Sequence, residues 1–273
     1  MKVYIQTDIE GVAGNVFFEN RADQSPEGFE HRQRMRRLLT GEVDAAVKAA
    51  RDAGATEVLV NDSHGCGYNI LFEELDPGCE IIHGRNCSGP HWLSGLDGSC
   101  AALLLVGMHA MAGTEGANLP HSKWEVNGGE LYLGEGSMAA AIAGDYGVPT
   151  VFVSGDQFVT AELAEKIPGI ETAVVKHALG AYIARSLMPA KARELIYAKA
   201  KRGLEKLNRL KPYQIPDPVK LSLWDSDDHS PPLAEPIPGG VTAATIDQAF
   251  VAFENQMSWF PGHVKLPDGF KFP

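Results

Sequence analysis

Three short apolar runs in this chain, Lys2–Thr7, Glu57–Asn61 and Ala101–Val106, each stop within three residues of a side chain able to hold a metal. Those side chains are Asp8 and Glu10, His64, and His109. Continuous apolar runs of this length, separated by helix-length segments, read as strands buried on both faces of a parallel sheet. In such sheets ligands bind beyond the carboxyl ends of the strands, so the runs aim their flanking side chains at one edge. A fourth stretch, Leu133-Gly-Glu-Gly136, sets Glu135 at the mouth of a helix, where a carboxylate is electrostatically favoured. Asp8, Glu10, His64, His109 and Glu135 are therefore expected to meet in one metal-bearing crevice. Each has an ordinary alternative as a turn former, helix cap or loop histidine; the weight comes from their shared edge.

The alternation of strand and helix signals runs well beyond these positions. Ser25-Pro26-Glu27 reads as an N-cap, a proline at the first helical position and a first-turn acid. Leu39, Val43, Ala46, Val47 and Ala50 form the apolar stripe of the helix that follows, which stops near Gly54. A short strand is expected around 80–82, and a hairpin over Trp124–Leu133, turning at Asn127-Gly128. Helices at 136–146 and 157–166 alternate with strands at 150–153 and 171–175. This pattern predicts an α/β fold, a three-layer αβα sandwich on a mainly parallel sheet. Near Pro189 the composition shifts. A Lys/Arg/Glu-rich helix at 189–208 is followed by a strand at Val219–Trp224, a Pro-rich turn at 230–238, a strand at Val241–Ile246 and a helix at Asp247–Phe260. We read 1–188 as a metal-binding catalytic domain and 189–273 as a smaller α+β domain.

A net charge of −11 argues against non-specific binding to nucleic acid or to an anionic membrane. Asp8 interrupts the N-terminal apolar run, which excludes a standard signal peptide, and no stretch is long enough to span a bilayer. A cytoplasmic location is the expectation. The four cysteines form no Cys-x-x-Cys pair, so reduced thiols are expected rather than a structural zinc site. Cys66 follows His64 by two residues and is a minor candidate ligand.

Three carboxylates and two histidines exceed the set that a single catalytic zinc uses, about three protein ligands and an open position. Five such groups suit two divalent metals about 3.5–4 Å apart, which together can activate water and polarise a carbonyl. A nitrogen and oxygen ligand set without thiolate favours zinc, with manganese or cobalt as alternatives. Asn61, Asp62 and Ser63 read either as supports that fix the His64 tautomer or as turn residues after a strand. His121 lies between His109 and Glu135 in a Gly-rich loop long enough to fold over the site. Gly134-Glu-Gly-Ser-Met-Ala139 also matches a dinucleotide fingerprint, with Asp156 as the ribose acid, which would make the chain an NAD-dependent oxidoreductase. A non-catalytic small-molecule-binding protein is the other alternative. No Gly-x-Ser-x-Gly elbow offers a serine nucleophile.

The opening Lys-Val-Tyr-Ile-Gln-Thr-Asp-Ile-Glu-Gly-Val-Ala-Gly resembles the start of the zinc-dependent D-aminopeptidases linked to bacterial dipeptide-transport operons. The likeness continues through Glu57–His64, Val106–Ala110, Pro120-His121-Ser122, Gly134-Glu135, Gly144–Pro149 and Ser154-Gly-Asp156, and on to about residue 260. The resemblance implies two zinc ions per subunit held by Asp8, Glu10, His64, His109 and Glu135, with Asp8 bridging. It further implies His121 as the catalytic residue and a ring-like homo-oligomer, a decamer, acting on short peptides. The activity it implies is removal of an N-terminal D-amino acid such as D-alanine.

Overall fold

In the computed structural model of the chain, which describes residues 1–65, 67–84, 92–225 and 240–257, strand β1 (Lys2–Thr7) runs through the middle of a seven-stranded sheet. It is buried from Val3 onward because it pairs in parallel with β2 (Glu57–Asp62) on one side and β4 (Cys100–Met108) on the other. Beyond β2 lies β3 (Glu80–Ile82); beyond β4 lie β7 (Thr150–Asp156) and β8 (Glu171–Gly180), all parallel. The far edge is β9 (Ile183–Ser186), which returns antiparallel to β8. Side chains alternate across β1, so Val3 and Ile5 join one core and Tyr4 the other.

Helices α1 (Pro26–Asp52) and α4 (Pro189–Glu205) cover the Val3 face. α1 begins as the sequence predicts: Ser25 caps it by accepting from the Gly28 amide at 3.0 Å, Pro26 opens it, and Leu39, Val43, Ala46, Val47 and Ala50 are fully buried. The opposite face carries α2 (Glu135–Asp145) and α3 (Gln157–Lys166). α2 is buried at every position from Gly136 to Gly144, as a helix without a solvent face must be. What covers its outer side is a second, antiparallel sheet, in the order β11 (Val241–Ala243), β10 (Val219–Asp225), β5 (Lys123–Val126), β6 (Leu131–Leu133), together with α5 (Ile246–Met257). Trp124, Leu133, Leu221 and Phe253 pack there against the alanines of α2. The second sheet thus takes strands from 123–133 as well as from the C-terminal part of the chain.

The three-layer α/β architecture and the mainly parallel sheet are as expected. The hairpin also turns where predicted, with Asn127 and Gly128 in the left-handed region at φ 54° and 73°. β8 outruns its predicted end at 175, because the buried Lys176 interrupts the apolar run while the strand continues to Gly180. Cys66 and the turn expected over 230–238 lie outside the described residues. No helix among the described residues is long and apolar enough to cross a membrane.

Glu42 on α1 is buried, accepting from the Ala13 amide at 2.9 Å through Oε1, while its Oε2 has no partner. Burial pushes its carboxyl up to about 7 from 4.5, against the opposing pull of the Ala13 bond and of Lys176 and Arg193. The folded state therefore holds this proton more tightly than the unfolded chain. The benefit is complete below pH 4.5 and is lost as the pH rises through about 7. Relative to the parent, Glu42→Gln should gain stability between pH 5 and pH 8, by up to about 3 kcal/mol, seen as a widening gap in melting temperature. Melting curves whose separation does not change with pH would contradict this account.

Candidate metal centre

The chain leaves β1 in a tight turn that carries Asp8 and Glu10. Both lie beyond the strand, so strand alternation does not set where they point. A close approach of two loops brings them together instead. The Asp8 amide donates to Val106 O at 2.9 Å and the Gly11 amide to Gly107 O at 2.7 Å, lacing this turn to the end of β4. A Cβ on Gly11 would come within 1.9 Å of Met108 O, and one on Gly107, at φ +77°, within 2.2 Å of Asp8 O. Gly11 is thus required by the close approach of the two segments.

His64 follows β2 in a loop held by its neighbours. Asp62 accepts from the Asn69 and Ile70 amides at 2.5 and 2.9 Å, Ser63 Oγ donates to Thr7 O at 2.6 Å, and Asn61 Nδ2 donates to Gln6 Oε1 at 2.8 Å. None of these bonds reaches the His64 ring; Asn61 and Asp62 belong to the end of β2, and Ser63 alone follows the strand. His109 stands at the end of β4, and its Nδ1 donates to Ala110 O at 2.8 Å, leaving Nε2 to face the crevice. His121 repeats the arrangement, with Nδ1 donating to Leu119 O at 3.0 Å. Leu119 and Ser122, on either side of it, sit at φ 51° and 55°, a strained backbone that positions a functional side chain. Glu135 is the first residue of α2, as predicted, and accepts from Ser122 Oγ at 2.8 Å.

The six side chains form two groups able to hold a metal, Asp8 with Glu10 and His64, and His109 with His121 and Glu135. His64 Nε2 lies 3.0 Å from Glu10 Oε1, and His109 Nε2 lies 3.5 Å from Glu135 Oε1. Asp8 Oδ2 joins the groups at 3.5 Å from His109 Nε2. The rings of His109 and His121 stack, with centroids 3.6 Å apart. The sequence reading treats His121 as catalytic without a place among the ligands; here its Nε2, 3.7 Å from Glu135 Oε1, is part of the second group.

A ligand set for cations should show lone pairs that the protein leaves unused. Asp8 Oδ2, Glu10 Oε2 and His109 Nε2 are all buried without a hydrogen-bond partner. Buried oxygen and nitrogen atoms left without hydrogen bonds in one crevice fit a divalent metal. The electrostatics agree. Burial, and then the Glu10 carboxylate, push Asp8 well above the usual carboxylate range. Burial would raise Glu10 too, but His64 overrides it and holds Glu10 well below that range. Likewise His109 outweighs burial and brings Glu135 to about 2. Burial would lower His64 and His109, yet Glu10 and Glu135 respectively raise them to about 10. His121 behaves in the opposite sense: burial, then the adjacent His109, bring it down to about 4.

One carboxylate near this site escaped the sequence reading. Glu19 lies 4.0 Å from His64 Nδ1 and is bound to Arg21 at 2.6 Å. No periodic pattern marks the irregular segment that carries it. Of the Arg32, Arg34, Arg36 and Arg37 cluster, Arg32 fastens the Asn20 and Asp23 carbonyls and Arg36 lies 3.9 Å from Glu19. The dinucleotide reading of 134–139 fails on topology. The strand before it, β6, belongs to the antiparallel sheet, and the Gly134 amide already bonds Ser137 Oγ. Asp156 caps α3 through the Phe158 and Val159 amides instead of presenting a free ribose acid.

The chain is similar to known proteins over most of its length. The model of family M55, D-aminopeptidase, matches residues 1–258. A D-aminopeptidase of Bacillus subtilis (strain 168) is 33% identical over 232 residues, 82% of this chain and 81% of that protein. Among solved structures, the Zn-dependent D-aminopeptidase DppA from Bacillus subtilis, a self-compartmentalizing protease, superposes with a TM-score of 0.82 at 28% identity. That match covers 95% of this chain and 98% of the other.

In metal-free protein near neutral pH, His64 and His109 carry protons that a metal must displace. Zinc addition should therefore release protons, and the apparent affinity should rise from about pH 6 to about pH 8. Calorimetry in two buffers of different ionisation enthalpy measures the release. An affinity independent of pH and of buffer would rule out the protonated pairs.

Proposed function

Because this chain belongs to the M55 family of D-aminopeptidases, we propose that it is a dinuclear zinc aminopeptidase that removes an N-terminal D-amino acid, such as D-alanine, from short peptides. The observation that carries the reading is the pair of three-residue ligand groups joined through Asp8. Asp8, Glu10 and His64 would hold one ion; His109 and Glu135 would hold the other, with Asp8 between them. Zinc in this place supplies Lewis acidity, lowering the pKa of water toward about 7 and polarising the scissile carbonyl.

The chain's own contribution to the reaction centres on His121. With Nδ1–H committed to Leu119 O, its Nε2 presents a lone pair to the crevice. Burial keeps the ring neutral near physiological pH. It is therefore suited to take a proton from the attacking water and not to donate one to a developing oxyanion at the outset. As water adds to the carbonyl carbon and the C–N bond breaks, that proton passes from Nε2 to the departing amine. Glu135 stabilises the ring while it is charged, and the stacked His109 holds its orientation. Ser122 Oγ fixes the Glu135 carboxylate through its bond to Oε1.

Self-assembly is part of the same proposal. DppA is described as self-compartmentalizing, and here the β8–β9 hairpin and the residues after it expose Leu179, Ile183 and Met188, at 64%, 57% and 68% of their surface. A grouped apolar surface of this kind suits contact with a second copy of the chain. Ile183→Lys with Met188→Lys should lower the assembly mass in mass photometry from the decamer implied by the resemblance. A variant of unchanged mass would place the contact elsewhere.

The decisive experiment pairs metal analysis with hydrolysis of D-Ala and L-Ala dipeptides. About two zinc ions per chain and faster cleavage of the D substrate are the expected results. Stoichiometric zinc without cleavage of either dipeptide would overturn the peptidase reading. His121→Ala should retain its zinc and lose kcat by about two to four orders of magnitude. Full turnover in that variant would remove His121 from the proton path.

A further inference from the structure

Lys176 on β8 is almost fully buried, at 1% exposure, on the sheet behind the metal crevice. Its ammonium donates to Glu10 O, to Asn15 O at 2.7 Å and to Asn118 Oδ1 at 2.6 Å. All three acceptors are neutral. Burying a lysine is costly, and a methionine would fill similar space without a charge to desolvate. The carboxylates of Asp156, Glu10, Glu42 and Asp8 offset part of that cost, and the three bonds decide what the ammonium holds in place.

They hold both ligand groups. Glu10 is itself in the first group, and Asn15 reaches back to the same turn, its Nδ2 donating to Ile9 O at 2.9 Å. Asn118 opens the segment that carries His121. Its Nδ2 donates to Ala181 O at 2.8 Å, the Leu119 amide reaches the same carbonyl at 3.0 Å, and Leu119 O takes the His121 Nδ1 proton. One tetrahedral ammonium thus ties the turn of Asp8 and Glu10 to the loop of His121. β4 and β7 stand between β1 and β8, so no hydrogen-bond ladder could join these segments directly.

We propose that Lys176 is a positioning residue for the reaction: it fixes the distance between the two metal-binding groups and so sets both the affinity for zinc and the rate of turnover. The proposal rests on the two-zinc reading and adds to it a residue that touches neither metal nor substrate. Three donors aimed at three acceptors suit an ammonium, whereas the planar guanidinium of arginine cannot direct its N–H groups this way.

The test uses Lys176→Met and Lys176→Arg beside the parent protein. Zinc affinity is measured by competition with a chromophoric chelator, and kcat and KM on a D-alanyl dipeptide with zinc in excess. Outer-shell partners typically change metal affinity or activity by about 10–100-fold. Zinc affinity and kcat should each fall by that factor in both variants, with KM within about threefold of the parent. A Lys176→Met protein that binds zinc and turns over as the parent does overturns the proposal alone; a parent that binds no zinc overturns the two-zinc reading with it. Should Lys176→Met fail to fold, Asn118→Ala decides, since it removes one of the three acceptors. A tenfold loss of kcat there with KM preserved supports the proposal, and parental kcat overturns it.

Discussion

Three carboxylates, Asp8, Glu10 and Glu135, are drawn into one water-poor crevice, and the cost of doing so governs the rest of the site. An ionised carboxylate out of water costs several kcal/mol unless it is paired. Glu10 is compensated by His64 and Glu135 by His109, which is why both acids titrate low and both imidazoles high. Asp8 stands as near His109 as Glu135 does, at 3.5 Å, but burial and then the Glu10 carboxylate outweigh that pull and drive it upward. The protein alone balances this charge only by holding protons. Divalent cations balance it better, and the unused lone pairs of Asp8, Glu10 and His109 point to where they would bind.

Such a crowd of like charges stays together because the backbone around it cannot relax. Gly11, Gly107 and Gly155 let the β1, β4 and β7 ends approach to distances that a Cβ would forbid. α2 fixes Glu135 from the other side and is clamped in its turn. One sheet packs against each of its faces, so the second sheet, remote from the chemistry, bears directly on where that carboxylate stands. The β8–β9 hairpin performs a similar service for His121 through Ala181 O. Its outer surface is the apolar one offered to a second copy, so the proposed subunit contact and the catalytic loop share one element.

Much of this was legible in sequence because it depends on local rules. α1 could be read from its capping serine, first-turn proline and apolar stripe, since these act within a few residues. Asp8, Glu10, His64 and His109 could be nominated together because a parallel sheet aligns strand ends without reference to long-range detail, and Glu135 from its place at a helix mouth. Glu19 could not be nominated, being brought to His64 by an irregular segment whose path is set by Arg21 and Arg36. Lys176 misled in a specific way: its charge breaks the apolar run of β8, so that a fully buried strand position looked like a strand end. The dinucleotide-like 134–139 loop misled in the other direction, matching a motif whose surrounding strand belongs to the wrong sheet.

The sequence by itself determined the α/β alternation, the side chains available for metal and the edge on which they gather, because periodicity and strand-end placement are properties of neighbouring residues. Tertiary structure decided which ligands pair, that His121 joins His109 and Glu135, and that hairpin 123–133 completes a sheet with the C-terminal strands. It also decided that a lysine from a strand three places from β1 spans both ligand loops. These are distances between segments as many as 166 residues apart, fixed by packing and by buried hydrogen bonds that no local pattern encodes.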